Sequence, residues 1–363
     1  MMDFMDNALY AEDVKQTAAL PLDWDKLNSS VLLLAGASGM IGGFLTDVFM
    51  YRNQHRGQKL KVLALGRDQR QGEERFKRYR GHEEFAFIPC DINSGVHGIE
   101  AADYVIQAAS NTHPMAYASD PIGTVRSNIV GTDHLLEYAA QAGARRFVFL
   151  SSVEIYGQNR GDTEKFKEDY CGYINSNTLR AGYPEGKRAG EALCQAYRRQ
   201  KNLDYVIPRL ARTYGPNMRM DDSKAAAQFI KKGAAGEDIV LKSQGKQLYT
   251  HTYVADAAAG VLTVMLKGES GEAYNVAGDG GHITLGELAR FIAADCGTKV
   301  VFEIPGDTEQ AGYSKAQKAL LDGSKLEELG YQERYSVKEG VRRTISILKQ
   351  LKSRGEKDLE MAE

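Results

Sequence analysis

The chain has 363 residues, 43% of them apolar, and a formal net charge of −2. That length buries a large core in one domain or two closely joined ones, and balanced charge gives no reason to expect nucleic acid or an anionic membrane as partner. Its apolar runs, such as Val31 to Ala37, are too short for a bilayer, and neither Cys90, Cys171, Cys194 and Cys296 nor the seven histidines show disulfide or metal-ligand spacing, so no metal is expected.

Residues 1–28 form an extension before the first strand; they contain the only tryptophan, Trp24, and give no indication of where they pack. Acidic residues at Asp3, Asp6, Glu12 and Asp13 break any basic-then-apolar leader pattern, and a cytoplasmic protein is expected. From Val31 onward strands alternate with helices. Val31–Ala35, Lys61–Leu65, Phe85–Ile88, Tyr104–Ala108, Phe147–Leu150 and Leu203–Ile207 read as buried strands. Met40–Arg52, Asp120–Ala142 and Tyr183–Gln200 read as helices, and Glu73 to Arg80 as a solvated, charge-rich helix face. This pattern predicts an α/β fold with a doubly wound parallel sheet. Residues 29–212 would form the dinucleotide-binding domain. Residues 213–352 would form mainly a smaller C-terminal lobe that binds substrate, with helices at Ala255–Leu266, Leu285–Cys296 and Val337–Leu351 and some segments returning to the sheet. Residues 353–363 would be a frayed tail.

Gly36-Ala37-Ser38-Gly39-Met40-Ile41-Gly42 follows the first strand and opens a helix. Glycines there permit the turn and let the backbone approach a pyrophosphate, while the helix N-terminus offers free N–H groups. The second strand ends in Leu65-Gly66-Arg67-Asp68, with no acid where NAD enzymes hold the ribose. Arg67 suits a 2′-phosphate, which tilts the choice between NAD and NADP toward NADP. Asp91 and Ile92 after the third strand, Ala108, Ala109 and Ser110 after the fourth, and Asn128 complete the expected cofactor wall.

Tyr183 and Lys187 are four residues apart and share a helix face. An ammonium beside a phenol lowers its pKa and fits it to remove a hydroxyl proton. Ser151-Ser152-Val153-Glu154-Ile155-Tyr156-Gly157 closes the fifth apolar run.

The glycine spacing, the Ser-Ser-x-x-x-Tyr-Gly segment and Tyr-x-x-x-Lys together resemble the extended short-chain dehydrogenase/reductases, from about Ser30 to Leu351. Within that group the stretches Arg180 to Arg188 and Tyr214 to Asp222 are most similar to the UDP-glucuronate decarboxylases. The resemblance implies a nucleotide-sugar enzyme that oxidises a sugar hydroxyl with bound NAD(P), acting as a decarboxylase or 4-epimerase. It implies Tyr183 as base, Lys187 on the nicotinamide ribose, Ser152 on the reacting oxygen and Glu154 near sugar carbons 5 and 6. Val153 stands where dehydratases have an aspartate, which argues against dehydration. The family's diphosphate-clamping arginine is replaced by Tyr249, and its asparagine after Pro-Arg by Arg212, so either Arg212 or Arg219 takes the substrate phosphates or the acceptor differs, as a different nucleotide or a sugar without the usual UDP. A homodimer is also implied, through Asp120–Ala142 and Tyr183–Gln200, with Leu135, Leu136 and Leu193 compatible with the contact. A net oxidoreductase on another alcohol and a non-catalytic dinucleotide-binding protein are the alternatives.

Overall fold

The computed structural model describes residues 3–112, 114–303 and 316–360. Its first five strands are β1 (Val31–Ala35), β2 (Lys61–Gly66), β3 (Phe85–Pro89), β4 (Tyr104–Gln107) and β5 (Arg146–Phe149). They are followed by β6 (Ser151–Ser152), β7 (Tyr205–Leu210), β8 (Arg212–Tyr214), β9 (Ile239–Leu241), β10 (Leu248–Tyr253) and β11 (Ala273–Val276). The main sheet runs β11-β7-β5-β4-β1-β2-β3, with every neighbouring pair parallel and β6 paired to the end of β7.

Alternation along β1 explains why both faces are covered. Leu32 and Leu34 point into one core with Phe44, Val48, Val206 and Val264. Leu33 and Ala35 point into the other with Leu135, Leu136, Phe147 and Phe149. A strand apolar at every position has no solvated face, and helices must cover both sides. The helices are α1 (Ala8–Ala18), α2 (Met40–Arg56), α3 (Gln69–Arg75), α4 (Pro114–Ser119), α5 (Pro121–Ala142), α6 (Gly182–Lys201), α7 (Ala225–Ala235), α8 (Val254–Lys267) and α9 (Leu285–Cys296). Helices α5 and α6 pack together on one face, and α1, α2 and α8 on the other. Asp120 caps α5 by accepting from the Gly123 amide at 2.9 Å, with Pro121 at the first helical position.

Beyond β7 the chain adds a second layer. Strand β10 pairs with β8 and with β12 (His282–Thr284) and Lys318–Ala319, while β9 pairs with Val300–Phe302. Strand β11 returns to the edge of the main sheet beside β7.

The structure corrects or completes four of these expectations. The N-terminal extension is an integral helix: Tyr10 donates to Asp47 at 2.6 Å, and Tyr253, Tyr335 and Arg343 all bond to Asp13. The run from Glu73 to Arg80 is only partly solvated, because Arg75 and Tyr79 turn inward to Asp47. Leu135 and Leu136 are fully buried against their own sheet, so they offer nothing to a partner. The closing helix runs Val337–Glu360, past Leu351. Among the described residues no helix is long and apolar enough to cross a membrane, and no group of His, Cys, Asp or Glu is placed to hold a metal.

Candidate active site

Strands β1 and β4 are neighbours whose chains leave toward opposite halves of the sheet, β1 toward β2 and β4 toward β5. A crevice opens above their C-terminal ends, the place where open α/β sheets bind ligands. A cavity of about 1720 Å³ fills it. That exceeds the roughly 300–1,000 Å³ of a pocket for one small molecule.

The glycine loop forms its floor. Gly36 has φ +80°, and a Cβ there would lie 2.6 Å from the Ala109 amide nitrogen. A Cβ on Gly42 would lie 2.3 Å from the Gly36 carbonyl oxygen. Side chains at these two positions would close the turn. Helix α2 begins at Met40 with no side-chain cap, so its first N–H groups keep their capacity for an anion. Ser38, Gly39, Met40 and Ile41 line the same wall. A side-chain-free cradle under an uncapped helix fits the pyrophosphate of a dinucleotide.

The remaining cofactor candidates divide. Arg67 is exposed at the cavity rim beside Gly66. Asp91 lines the cavity and spends one oxygen on the Asn93 amide at 3.0 Å; Ile92 is buried beneath it. Ala108, Ala109 and Ser110 form the wall after β4. Asn128 does not reach the cavity: it is fully buried, accepting from Ser110 Oγ at 3.0 Å and donating to the Thr124 carbonyl at 2.7 Å. It fixes Ser110 from behind.

At the centre, β5 passes through Leu150 into Ser151 and Ser152, and Ser152 Oγ accepts from the Glu154 amide at 3.3 Å, starting a 3₁₀ turn over Val153–Tyr156. Tyr183, in the first turn of α6, is 7% exposed and its phenol faces the Ser152 hydroxyl. Its pKa is pushed up to about 12, chiefly by burial, with Ser152 opposing. The expected acidification by Lys187 is therefore absent here. Lys187 shares the helix face, but its ammonium donates instead to the Leu150 carbonyl at 2.7 Å and lies 4.7 Å from the Phe149 ring centroid. Burial lowers its own pKa to about 7. Helical spacing brings two Cα atoms to one face but leaves a flexible four-carbon stem free to choose its partner.

Glu154 lies beyond Ser152. It is neither solvated nor free: Arg180 Nη2 approaches one oxygen at 2.8 Å and Arg212 Nη2 the other at 3.1 Å. Burial alone would raise its pKa, but the two guanidinium groups win and hold it below the usual glutamate range. The Tyr117 ring stacks on Tyr183 at 5.2 Å and lies 4.8 Å from the Arg180 guanidinium. Arg212 sits 3.9 Å over the Tyr249 ring, whose hydroxyl donates to the Ala316 carbonyl at 2.6 Å. His251, buried beside Arg212, has its pKa lowered to about 3, burial first and Arg212 second, and is neutral. Val153 is buried and offers no proton. Arg219 stands apart, half-exposed at the rim and paired with Asp221 at 2.8 Å.

Arg180, Tyr117 and His251 were not assigned roles from sequence. Arg180 precedes Tyr183 by three residues, which is helical spacing. For His251 the signal is alternation with Tyr249 along β10. Tyr117 had no signal beyond an aromatic after Pro114. Two hydrogen bonds close the crevice from the far side: Asn217 Nδ2 donates to the Met40 carbonyl at 2.6 Å, and the Met115 amide to Ser223 Oγ at 3.1 Å.

The chain is similar to known proteins. Residues 32–277 match the model of the NAD dependent epimerase/dehydratase family. The chain is 29% identical over 316 residues to UDP-glucuronic acid decarboxylase 6 of Arabidopsis thaliana, covering 85% of this chain and 86% of that one. The UDP-glucose 4-epimerase of Thermotoga maritima with UDP-glucose superposes with a TM-score of 0.76 at 21% identity, over 88% of this chain and 99% of that chain. The UDP-glucuronic acid 4-epimerase of Bacillus cereus, in complex with UDP-glucuronic acid and NAD, gives 0.74 at 21% identity over the same shares. At those identities the two structures carry the fold alone.

Proposed function

Because this chain belongs to the NAD-dependent epimerase/dehydratase family, we propose that it oxidises a hydroxyl of a nucleotide sugar with a bound nicotinamide dinucleotide and releases a decarboxylated or 4-epimerised sugar. The observation that carries this reading is the meeting of Tyr183 and Ser152 inside a cavity floored by the glycine loop.

Gly36, Gly39 and Gly42 with the first turn of α2 would hold the pyrophosphate. Ser110, fixed by Asn128, and Lys187 would bound the nicotinamide end. When bound, the nicotinamide accepts a hydride from a sugar carbon and gives it back. Tyr183 takes the proton from the hydroxyl on that carbon, and Ser152 donates to the same oxygen as it becomes a carbonyl, so the donor is in place before charge develops. A carboxylate two carbons from that carbonyl departs as carbon dioxide; without that loss, return of the hydride to the other face inverts the centre. The exposed Arg67 beside Gly66 supports NADP alongside NAD. We also assign a homodimer to α5 and α6, through the exposed Ile122 and Val125 of α5 and Leu179 in the turn ahead of α6 rather than Leu135 and Leu136; sedimentation as a monomer at micromolar concentration overturns it.

Purified protein incubated with NAD or NADP and a panel of nucleotide sugars, with products resolved by mass, tests the reading. A product lighter by carbon dioxide identifies the decarboxylase, and an isomer of unchanged mass the epimerase. Inertness toward every nucleotide sugar with cofactor bound refutes both.

A further inference from the structure

Strand β10 pairs with β8 in parallel, and the register sets His251 directly beside Arg212. Registered neighbours in a sheet put their side chains on one face, and adjacent strands lie about 4.7–4.9 Å apart. Tyr249 stands two residues before His251 and shares that face, and Arg212 lies 3.9 Å over its ring. All three side chains line the cavity.

His251 is 2% exposed, and its Nδ1 is buried with no hydrogen-bond partner among the described residues. Arg212 Nε is buried in the same condition. The arginine nitrogen can only donate, and a neutral imidazole keeps one nitrogen free to accept. A buried donor or acceptor left unpaired costs stability, so two of opposite kind on paired residues call for an explanation. Burial first and Arg212 second drive the His251 pKa down to about 3, so near neutrality the ring carries no extra proton to repel the guanidinium. The same shift removes His251 as a general acid near neutrality. An acceptor's role is what remains for it.

An acceptor is also what Arg212 lacks. A guanidinium on a flexible stem is fixed when its plane and two of its nitrogens are held. The Tyr249 ring sets the plane, and that ring is itself tied by its hydroxyl to the Ala316 carbonyl at 2.6 Å. Glu154 holds Nη2 at 3.1 Å. With no second nitrogen held, the group can swing about Nη2 across the ring face.

We propose that His251 is a positioning residue whose Nδ1 accepts from Arg212 Nε and so fixes the direction in which Arg212 faces the cavity. Closing the bond needs only side-chain rotation, because the two residues are already paired across the ladder. With Nη2 on Glu154 and Nε on His251, Nη1 is the nitrogen left for a ligand. His251 touches no reacting atom and acts through Arg212 alone. The proposal rests on the nucleotide-sugar reading above for the ligand, but the pair can also be read without one.

Calorimetric titration of the cofactor-loaded protein with UDP-glucuronate, across a double-mutant cycle, is the first test. His251→Phe keeps a ring of similar size but has no acceptor, and it should weaken binding by about tenfold, the loss of one hydrogen bond to a charged group. His251→Asn, whose Oδ1 takes the place of Nδ1, should stay within about twofold of the unmodified chain. With Arg212→Met already present, His251→Phe should cost less than about twofold. A tenfold loss in both backgrounds overturns the proposal, and so does an equal loss in His251→Asn. The second test uses the protein without sugar. The NMR shift of the His251 Nδ1 nitrogen, which separates a bare lone pair from a hydrogen-bonded one, should move in Arg212→Met; an unmoved resonance overturns the proposal. If the unmodified chain does not bind UDP-glucuronate, it is the functional reading that fails, and the nitrogen resonance alone decides the pair.

Discussion

Asp47 and Glu154 are both carboxylates held by arginine, and they are built differently. Asp47, on α2, receives Tyr10 at 2.6 Å, Tyr79 at 3.0 Å, and both terminal nitrogens of Arg75. One carboxylate meets one guanidinium, and Arg75 Nη2 also donates to the Gly43 carbonyl. Glu154 meets two guanidinium groups, and nitrogens on both remain unpartnered. The first group balances its charge internally and ties the N-terminal extension to the sheet. The second does not balance, and it lines the cavity. A buried ion pair by itself says little about function; a cluster that lines the cavity is open to ligand, and one that does not is not.

The sharpest way to break this contrast is to cut into each side and ask what is lost. Tyr183→Phe, at the edge of the second group, should lower turnover by about 10²–10⁴-fold, the range for a positioned acid–base group. Thermal unfolding should hardly move. Product formation followed by mass, with the melting curve beside it, reads both.

On the other side, Asp47→Ala leaves Arg75 buried without its anion and should destabilise by about 3–5 kcal/mol. Affinity for nucleotide sugar should stay the same in the folded fraction. Urea unfolding measures the loss. A loss of affinity with stability intact would mean that the two groups have been read the wrong way round.

Glu154→Gln separates the groups further. It removes the one anion from a set already positive, but near a cavity that admits water and ligand. Its stability loss should be smaller than for Asp47→Ala, about 1–2 kcal/mol. A penalty as large as that of Asp47→Ala would make both groups structural.

The pH profile probes the phenol itself. Tyr183 has a pKa raised to about 12, so the proton-accepting form is scarce near neutrality and grows with pH. For free enzyme, kcat/KM should rise between pH 7 and 9, by up to about tenfold per unit. A flat profile would show that bound cofactor and Lys187 together overcome burial.

The smallest effect is expected at Glu333, away from both groups. Burial raises its pKa to about 7, above the ordinary glutamate value of 4.5, with Asp256 next in importance. A carboxyl raised in the folded state is protonated there while still ionised in the unfolded chain. Its favourable contribution is present below pH 4.5 and is lost as pH rises through 7. Glu333→Gln should therefore stabilise by about 1–2 kcal/mol at pH 8 and have little effect at pH 4, by urea unfolding at the two pH values.

The amino-acid sequence by itself determined the order of elements and the nucleotide half of the site. Continuous aliphatic runs such as Val31–Ala35 leave no choice but a strand covered on both faces, and Gly36 and Gly42 stand where any Cβ would collide. These are local requirements, written in consecutive residues. The tertiary structure alone decided where long, flexible side chains end. Lys187 shares a helix face with Tyr183 yet bonds to Leu150; Arg75 turns inward from a run that reads as surface; Asn128 stops behind Ser110. It also decided the company of Glu154, because Arg180 and Arg212 come from α6's approach and β8, segments 26 and 58 residues away in sequence by subtraction of their numbers. A guanidinium at the end of a flexible stem reaches whatever charge the fold brings within a few ångströms, and which charge that is depends on the packing of distant segments.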